Sequence, residues 1–519
     1  MNRTVLALAL AALSVVPLAG CTAAGDPAPK AAPGTAGHRP ELRRFYDQRL
    51  TWKPCGDLRC ARLTVPRDYA HPDDGKTFVL PVAKAATAEP DDRIGSLVYN
   101  PGGPGASGVS DLAADSGEVF GAAVRARFDI VSFDPRGVGG SRPAVRCAEP
   151  DDADDGDDAD DGDDVQEPIA PRTAGDRSRA FAGARAEAAA CAKGSPGILP
   201  HVGTDDAARD LDVLRAALGD RKLTYLGWSY GTSLGTSYAE QFPRRVRALV
   251  LDGAVDPALD WSERALSQGT GFRRAVDDYA EHCADLVGEA CPGASPREIS
   301  GLLDGLYEEA AREPLPAAGD AYDVDARTLL DVVTDAMYSP EDSWADLSQA
   351  LGEAADGDAT KLAALAEEDD GPATGSHRRA RGPENDDEAI LAVSCLDTPH
   401  PRDARPYWDA LAAADEAAGV YGTSSVVDEL TCADWPAGTR RPHEVRAKGV
   451  PPVLVVGTTG DPATPYEEAE SLAGQFPGGM LLTYEGRGHT AYGRGGTCVT
   501  KAVDAYLVDL EPVRADATC

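Results

Sequence analysis

A serine set between a short apolar run and a helical pattern, with a glycine two residues to either side, leaves this chain few folds to choose from. Residues 223–235 read LTYLGWSYGTSLG. The first five are rich in apolar and aromatic residues, as a buried strand requires, and a helical pattern follows over 232–242. A serine at such a bend has its hydroxyl lifted clear of the sheet, and Gly227 and Gly231 permit the tight turn. Two G-x-S-x-G matches overlap here, centred on Ser229 and Ser233. Only Ser229 follows the strand directly. Ser233 falls one helical turn further in, where a hydroxyl is an ordinary helix residue.

The same alternation runs along much of the chain. Extended apolar runs at 62–65, 78–82, 95–99, 128–133 and 246–251 end in turn residues, and residues 206–218 carry apolar side chains at helical spacing. Short apolar runs separated by helical patterns predict βα crossovers and a largely parallel sheet. The rhythm breaks over 258–447, where WSERALSQ, FRRAVDDYAEHCADLV, REISGLLDGLYEEA, ARTLLDVVTDAMY and ATKLAALAEE read as helices. A polar stretch, DDGPATGSHRRARGPENDD, interrupts them as a loop. Strands resume at 453–457 and 480–484, and VTKAVDAYLVDL is a closing helix. The expected architecture is an α/β core from 41–257 and 448–519, with 258–447 inserted as a helical lid. Such a lid lies over the C-terminal ends of the strands, where open α/β sheets place their ligands.

A serine hydroxyl becomes nucleophilic only when a base takes its proton and a third group orients that base. In a strand–elbow–helix setting the partners follow in the order acid, then histidine. Of His282, His377, His400, His443 and His489, the first four fall in the helical insertion, its polar loop or the re-entry segment. His489, in YEGRGHTAYG, sits just past the last strand on a glycine-rich loop. Asp461 follows the strand PVLVVG in TTGDPATP, where the orienting acid is expected; a turn or helix cap is the alternative role. Acyl transfer also needs donors for the developing oxyanion. The Tyr230 N–H is one, and Gly103 in NPGGPGASG is the first choice for the other. Arg136 and Asp134, in DPRGVGGS, are expected to pair and brace the loops around the site, with direct substrate contact by Arg136 as the alternative. Asp397 in SCLDTP and Asp434 in CADWP are candidates for holding a substrate ammonium, or are ordinary loop or cap residues.

The ends and the charge add context. Within residues 1–20, VLALALAALSVVPLAG follows a short basic start, which reads as a signal peptide. Leu18-Ala19-Gly20-Cys21 looks like a lipidation signal at Cys21, with plain secretion as the alternative, and 21–40 reads as a flexible tether. The other ten cysteines suit up to five disulfides in an exported chain. Sequential pairing is the simplest scheme, but spacing alone does not fix it. No C-x-x-C occurs, so zinc and redox chemistry have no foothold, and no metal or cofactor is implied. The formal charge of −36 disfavours nucleic acid and anionic lipid as partners. The run 151–164, DDADDGDDADDGDD, reads as a solvated loop. It does not combine acidic ligands at positions one, three and five with glycine at six, as a calcium loop requires.

Taken jointly, NPGGPGASG, DPRGVGGS, GWSYGTSLG, VLDGAVDP, GTTGDPATP and EGRGHTAYG resemble the secreted tripeptidyl aminopeptidases of actinobacteria. These are relatives of prolyl iminopeptidase in the α/β-hydrolase superfamily. The resemblance spans roughly residues 45–519. It implies an α/β-hydrolase fold, release of short peptides from free N-termini, a triad of Ser229, Asp461 and His489, and a lid whose acidic residues anchor the substrate amine. Pro101 departs from the iminopeptidase pattern, in which the glycine loop begins with histidine, and this favours the tripeptidyl branch. A secreted carboxylesterase or a prolyl iminopeptidase-like hydrolase with the same triad, and a binding protein with an inactive hydrolase fold, are the competing readings.

Overall fold

The computed structural model describes residues 39–148, 169–319, 321–370, 385–436, 440–514 and 517–519. The expected signal peptide, Cys21, nearly all of the tether, the acidic run 151–164, and His377 with most of its polar stretch lie outside these residues.

Ten strands form one sheet: β1 (Lys53–Cys55), β2 (Leu58–Pro66), β3 (Thr77–Ala85), β4 (Gly95–Asn100), β5 (Phe128–Phe133), β6 (Leu223–Trp228), β7 (Val246–Asp252), β8 (Leu454–Gly460), β9 (Met480–Arg487) and β10 (Ala517–Thr518). Their spatial order is β1-β2-β3-β5-β4-β6-β7-β8-β9-β10. Pairing is antiparallel from β1 through the β3–β5 contact and parallel from there on. Every residue of β4, β5 and β6 is buried. These strands carry continuous apolar runs because helices cover both of their faces. On one face Leu211, Leu214, Leu234, Tyr238 and Leu472 share a core with the strands. On the other, Leu112, Val124, Val503 and Leu507 do so. All eight strands expected from the sequence are present. The two it does not reveal, β1 and β10, are edge strands of three and two residues.

Between β7 and β8 the chain leaves the sheet for a series of helices running from Trp261–Leu286 to Val420–Asp428. They carry a core of their own, including Phe272, Leu303, Leu329, Trp344 and Leu362. A second insertion, between β5 and β6, joins them. Its helix Ala174–Gly194 buries Ala180 and Ala184 against Trp261, Tyr407 and Leu411 of the main insertion. The roof is therefore assembled from two separate stretches of chain. The sequence pattern misses the first because its buried positions are three alanines and a cysteine, whose small side chains leave no apolar stripe to read.

All ten cysteines of the described residues are paired, and the pairing is sequential: Cys55–Cys60, Cys147–Cys191, Cys283–Cys291, Cys395–Cys432 and Cys498–Cys519. Cys147–Cys191 pins the end of the Ala174–Gly194 helix to the segment after β5. No described helix is long and apolar enough to cross a membrane.

Candidate active site

The bend after β6 is strained in the way a nucleophile elbow requires. Ser229 has φ 55° and ψ −124°, a left-handed backbone that a side chain adopts only under constraint. Its N–H donates to the Asp252 carbonyl at 2.9 Å, and its own carbonyl accepts from the Thr232 N–H at 2.8 Å. The flanking glycines serve close approach: a Cβ on Gly227 would lie 2.2 Å from the Gly231 oxygen, and one on Gly231 would lie 2.7 Å from the Asn100 oxygen. The positive φ thus falls on the serine, while the glycines let β6, the following helix and the end of β4 crowd together.

That crowding places the expected oxyanion loop against the elbow. A Cβ on Gly102 would stand 2.9 Å from Ser229 Cβ, and Gly102 has φ +111°. The Gly102 N–H donates to Asn100 Oδ1 at 3.2 Å. Gly103 lines the same cleft as Ser229 and Tyr230. The two residues named from the sequence as donors thus line one cleft with Ser229, Tyr230 on the first turn of a helix and Gly103 on a glycine loop, while Gly102 makes the close approach to the serine.

The acid and the histidine meet as their order along the chain demands. Asp461, just past β8, accepts from His489 Nδ1 at 2.8 and 3.0 Å. It also accepts from the N–H groups of Ala463 at 3.0 Å, Thr464 at 2.9 Å and Thr490 at 3.1 Å. Its carboxylate is fully buried, so these donors hold it in one orientation. The opposite ring nitrogen, His489 Nε2, is buried without a hydrogen-bond partner among the described residues. Ser229 is therefore not hydrogen-bonded to it among the described residues. Both side chains border the end of β7. Asp252 holds the Ser229 N–H, and a Cβ on the next residue, Gly253, would lie 3.1 Å from His489 Cε1.

The lid grips the histidine loop at three points. The His489 N–H donates to the Tyr338 carbonyl at 2.9 Å. The Tyr338 ring meets the imidazole edge-on, with centroids 5.2 Å apart. Arg487 pairs with Asp278, and Arg494 with Glu341 at 3.3 Å. These lid partners carry no motif, and sequence reasoning misses them.

The remaining candidates separate cleanly. Arg136 braces, but its partner is Asp210 rather than Asp134. A two-pronged pair at 2.7 and 2.6 Å joins them, and the guanidinium also donates to the carbonyls of Pro66, Arg67 and His201. With no exposed surface, Arg136 cannot touch a substrate. Asp134 instead accepts from Ser107, Val109 and Gly140, tying the two glycine loops together. Asp434 pairs with Arg185 at 2.6 Å, and neither side chain lines the cleft. Asp397 does line it, and accepts from the Thr204 N–H at 2.8 Å. Burial raises its carboxyl above the usual range.

The cleft over Ser229 measures about 830 Å3 and is walled by core loops and both insertions. Glu468, on its wall, accepts from the lid Ser267 hydroxyl at 2.6 Å and from the Asp256 N–H at 3.0 Å. Burial pushes this carboxyl up to about 7. Glu429 goes the other way: burial alone would raise it, but His400 at 2.6 Å and Arg264 outweigh that and hold it low. His400, Glu429 and Cys432 stand close enough to suggest a metal site, but Cys432 is spent in its disulfide.

Known proteins match this arrangement along nearly the whole chain. A family model for the alpha/beta hydrolase fold covers residues 95–495. Serine protease Hip1 of Mycobacterium tuberculosis is 38% identical over 91% of each chain. Tripeptidyl aminopeptidase of Streptomyces lividans is 33% identical over 91% of this chain and 86% of its own. Carboxylesterase B of Mycobacterium tuberculosis is 35% identical over 96% of this chain and 93% of its own. A strained serine after a parallel strand, an Asp–His pair on the next loops and kinship of this extent together make the chain a serine hydrolase of the α/β-hydrolase family, in the branch that includes the tripeptidyl aminopeptidases.

Proposed function

We propose that this protein is a serine peptidase that releases short peptides, tripeptides in the main, from free N-termini. His489 takes the Ser229 proton as the hydroxyl attacks the scissile carbonyl, and Asp461 orients and stabilises the imidazolium. The N–H groups of Tyr230 and Gly103 hold the oxyanion. His489 then protonates the leaving amine, and water resolves the acyl-enzyme.

The observation that carries the reading is the charge of the cleft. Among the described residues that line it are eight carboxylates and four guanidiniums. A walled cleft with that imbalance attracts a substrate bearing a free ammonium. Asp397 is the proposed anchor for that ammonium, since it is the one of the two carboxylates named from the sequence that faces the cleft. Relatives named as a protease and as an aminopeptidase support the same reading. Export, with a lipid anchor on Cys21, belongs to the proposal too, and fits a chain carrying five disulfides.

Mass spectrometry of products from a library of unblocked peptides tests this directly. Three-residue N-terminal fragments are expected, and N-acetylation of the same peptides should abolish cleavage. Equal cleavage of blocked peptides would end the aminopeptidase reading. The relative named carboxylesterase B favours an esterase as the second reading. Turnover of simple esters with none of peptides would select it.

A further inference from the structure

One fully buried carboxylate at the site has no part in the reaction as described. Asp252 is the last residue of β7, the strand lying between β6, which leads into Ser229, and β8, which leads into Asp461. Its register partners are Trp228 on one side and Val456 on the other. Its carbonyl accepts the Ser229 N–H at 2.9 Å. Its side chain turns to the histidine loop: Oδ1 accepts from the Ala491 N–H at 3.0 Å, and Oδ2 from Ala491 at 3.1 Å and Tyr492 at 2.8 Å. Those are the second and third residues after His489.

We propose that Asp252 is a positioning residue for the base: its carboxylate holds the Ala491–Tyr492 backbone, and with it the His489 imidazole, against the strand end that also secures the Ser229 elbow. One residue thereby sets the nucleophile and the base relative to each other, by main chain on one side and side chain on the other. Asp461 orients the ring; Asp252 locates the loop that carries it. Gly253 completes the device, since a Cβ there would press on His489 Cε1 at 3.1 Å and on Thr490 at 2.9 Å. The ionisable groups facing Asp252 are Asp461 and His489, and its negative charge favours the imidazolium that forms during attack. Burial of this acid therefore serves the loop rather than the substrate. Asp252 is absent from the cleft wall.

The inference rests on the triad proposed above, and two variants separate the two claims. Ser229→Ala should abolish turnover; if it does not, the triad reading falls. Asp252→Asn, with rates normalised to serine sites titrated by an organophosphonate, should lower kcat about 10- to 100-fold while KM stays within about twofold. Loss of the charge should also move the acid limb of kcat/KM to lower pH, because the imidazolium loses a stabilising neighbour. An unchanged kcat per titrated site, or an unshifted acid limb, overturns the proposal while leaving the triad standing. Where Asp252→Asn does not accumulate folded, the unmodified enzyme decides. Burial pushes Asp252 up to about 6, so protonation of this carboxylate should release the loop and add its own step to the acid limb, which is then steeper than one proton. A one-proton limb overturns the proposal.

Discussion

The sheet core and the lid meet at the same cleft but are built on different rules. In the core, each site residue follows closely on a parallel strand: Ser229 after β6, Asp461 after β8 and His489 after β9. Strand geometry fixes where such residues emerge, and backbone groups hold them there, as the N–H groups of Ala463, Thr464 and Thr490 hold Asp461. In the lid, amphipathic helices pack around separate clusters, and contact with the core is made by single side chains and carbonyls such as Asp278, Tyr338 and Glu341. The core thus carries the proposed triad by rigid placement. The lid adds walls, charge and three grips on the histidine loop.

The sharpest break between the two regions lies at Ser229. Substitution by alanine should lower turnover by about 10^6-fold. Ser229→Gly should lose as much activity yet raise stability, since glycine relieves the positive φ at a saving of about 1 kcal/mol. A thermal melt of the glycine variant no higher than that of the native protein would remove strain from the account of the elbow. Next comes Arg136→Met, which leaves the buried Asp210 carboxylate with the Tyr69 hydroxyl but without its cation. It should cost about 3–5 kcal/mol of stability in denaturant titrations, with kcat per folded molecule unchanged.

The lid is expected to show smaller effects of a different kind. Tyr338→Ala removes the ring beside His489 but leaves the carbonyl that accepts its N–H. A loss of about 10-fold in kcat is expected, with stability little altered. An unaffected kcat would reduce the lid to a wall. At Glu468 the lid–core contact itself titrates. Burial raises its pKa from 4.5 to about 7, so the folded protein holds the proton more tightly than the unfolded chain. This contribution is complete below pH 4.5 and is lost as pH rises through about 7. Glu468→Gln should flatten the fall in melting temperature across that window. The smallest effect belongs to Asp434→Ala, which breaks an exposed pair with Arg185. It should change stability by less than about 1 kcal/mol and leave KM untouched. Asp397→Asn, by contrast, should raise KM for unblocked peptides.

The two regions differ equally in how far they can be read from sequence. Eight strands and the places of Ser229, Asp461 and His489 follow from local patterns, because a buried parallel strand is an unbroken apolar run and its C-terminal loop sits at the site. The places of Gly103 and Tyr230 on the cleft wall follow from the same logic. Arg136 reads as a brace, but its partner does not: Asp210 lies on a helix with an ordinary amphipathic pattern, 74 residues on. Asp397 and Asp434 look alike in sequence, each two residues after a cysteine, and only packing sends one to the cleft and the other to Arg185.

What the sequence determines alone is the order of chemistry along the chain: an elbow serine, then an acid, then a histidine, each after its strand, with helices inserted between the first and the second. Tertiary structure decides everything that depends on distant segments meeting. It joins the Ala174–Gly194 helix to the main lid, turns Asp252 toward the histidine loop and sets Tyr338 against the imidazole. The physical reason is the range of the forces involved. Strand and turn preferences act over a few residues and leave a periodic trace. A buried carboxylate reaching an N–H 240 residues away leaves none.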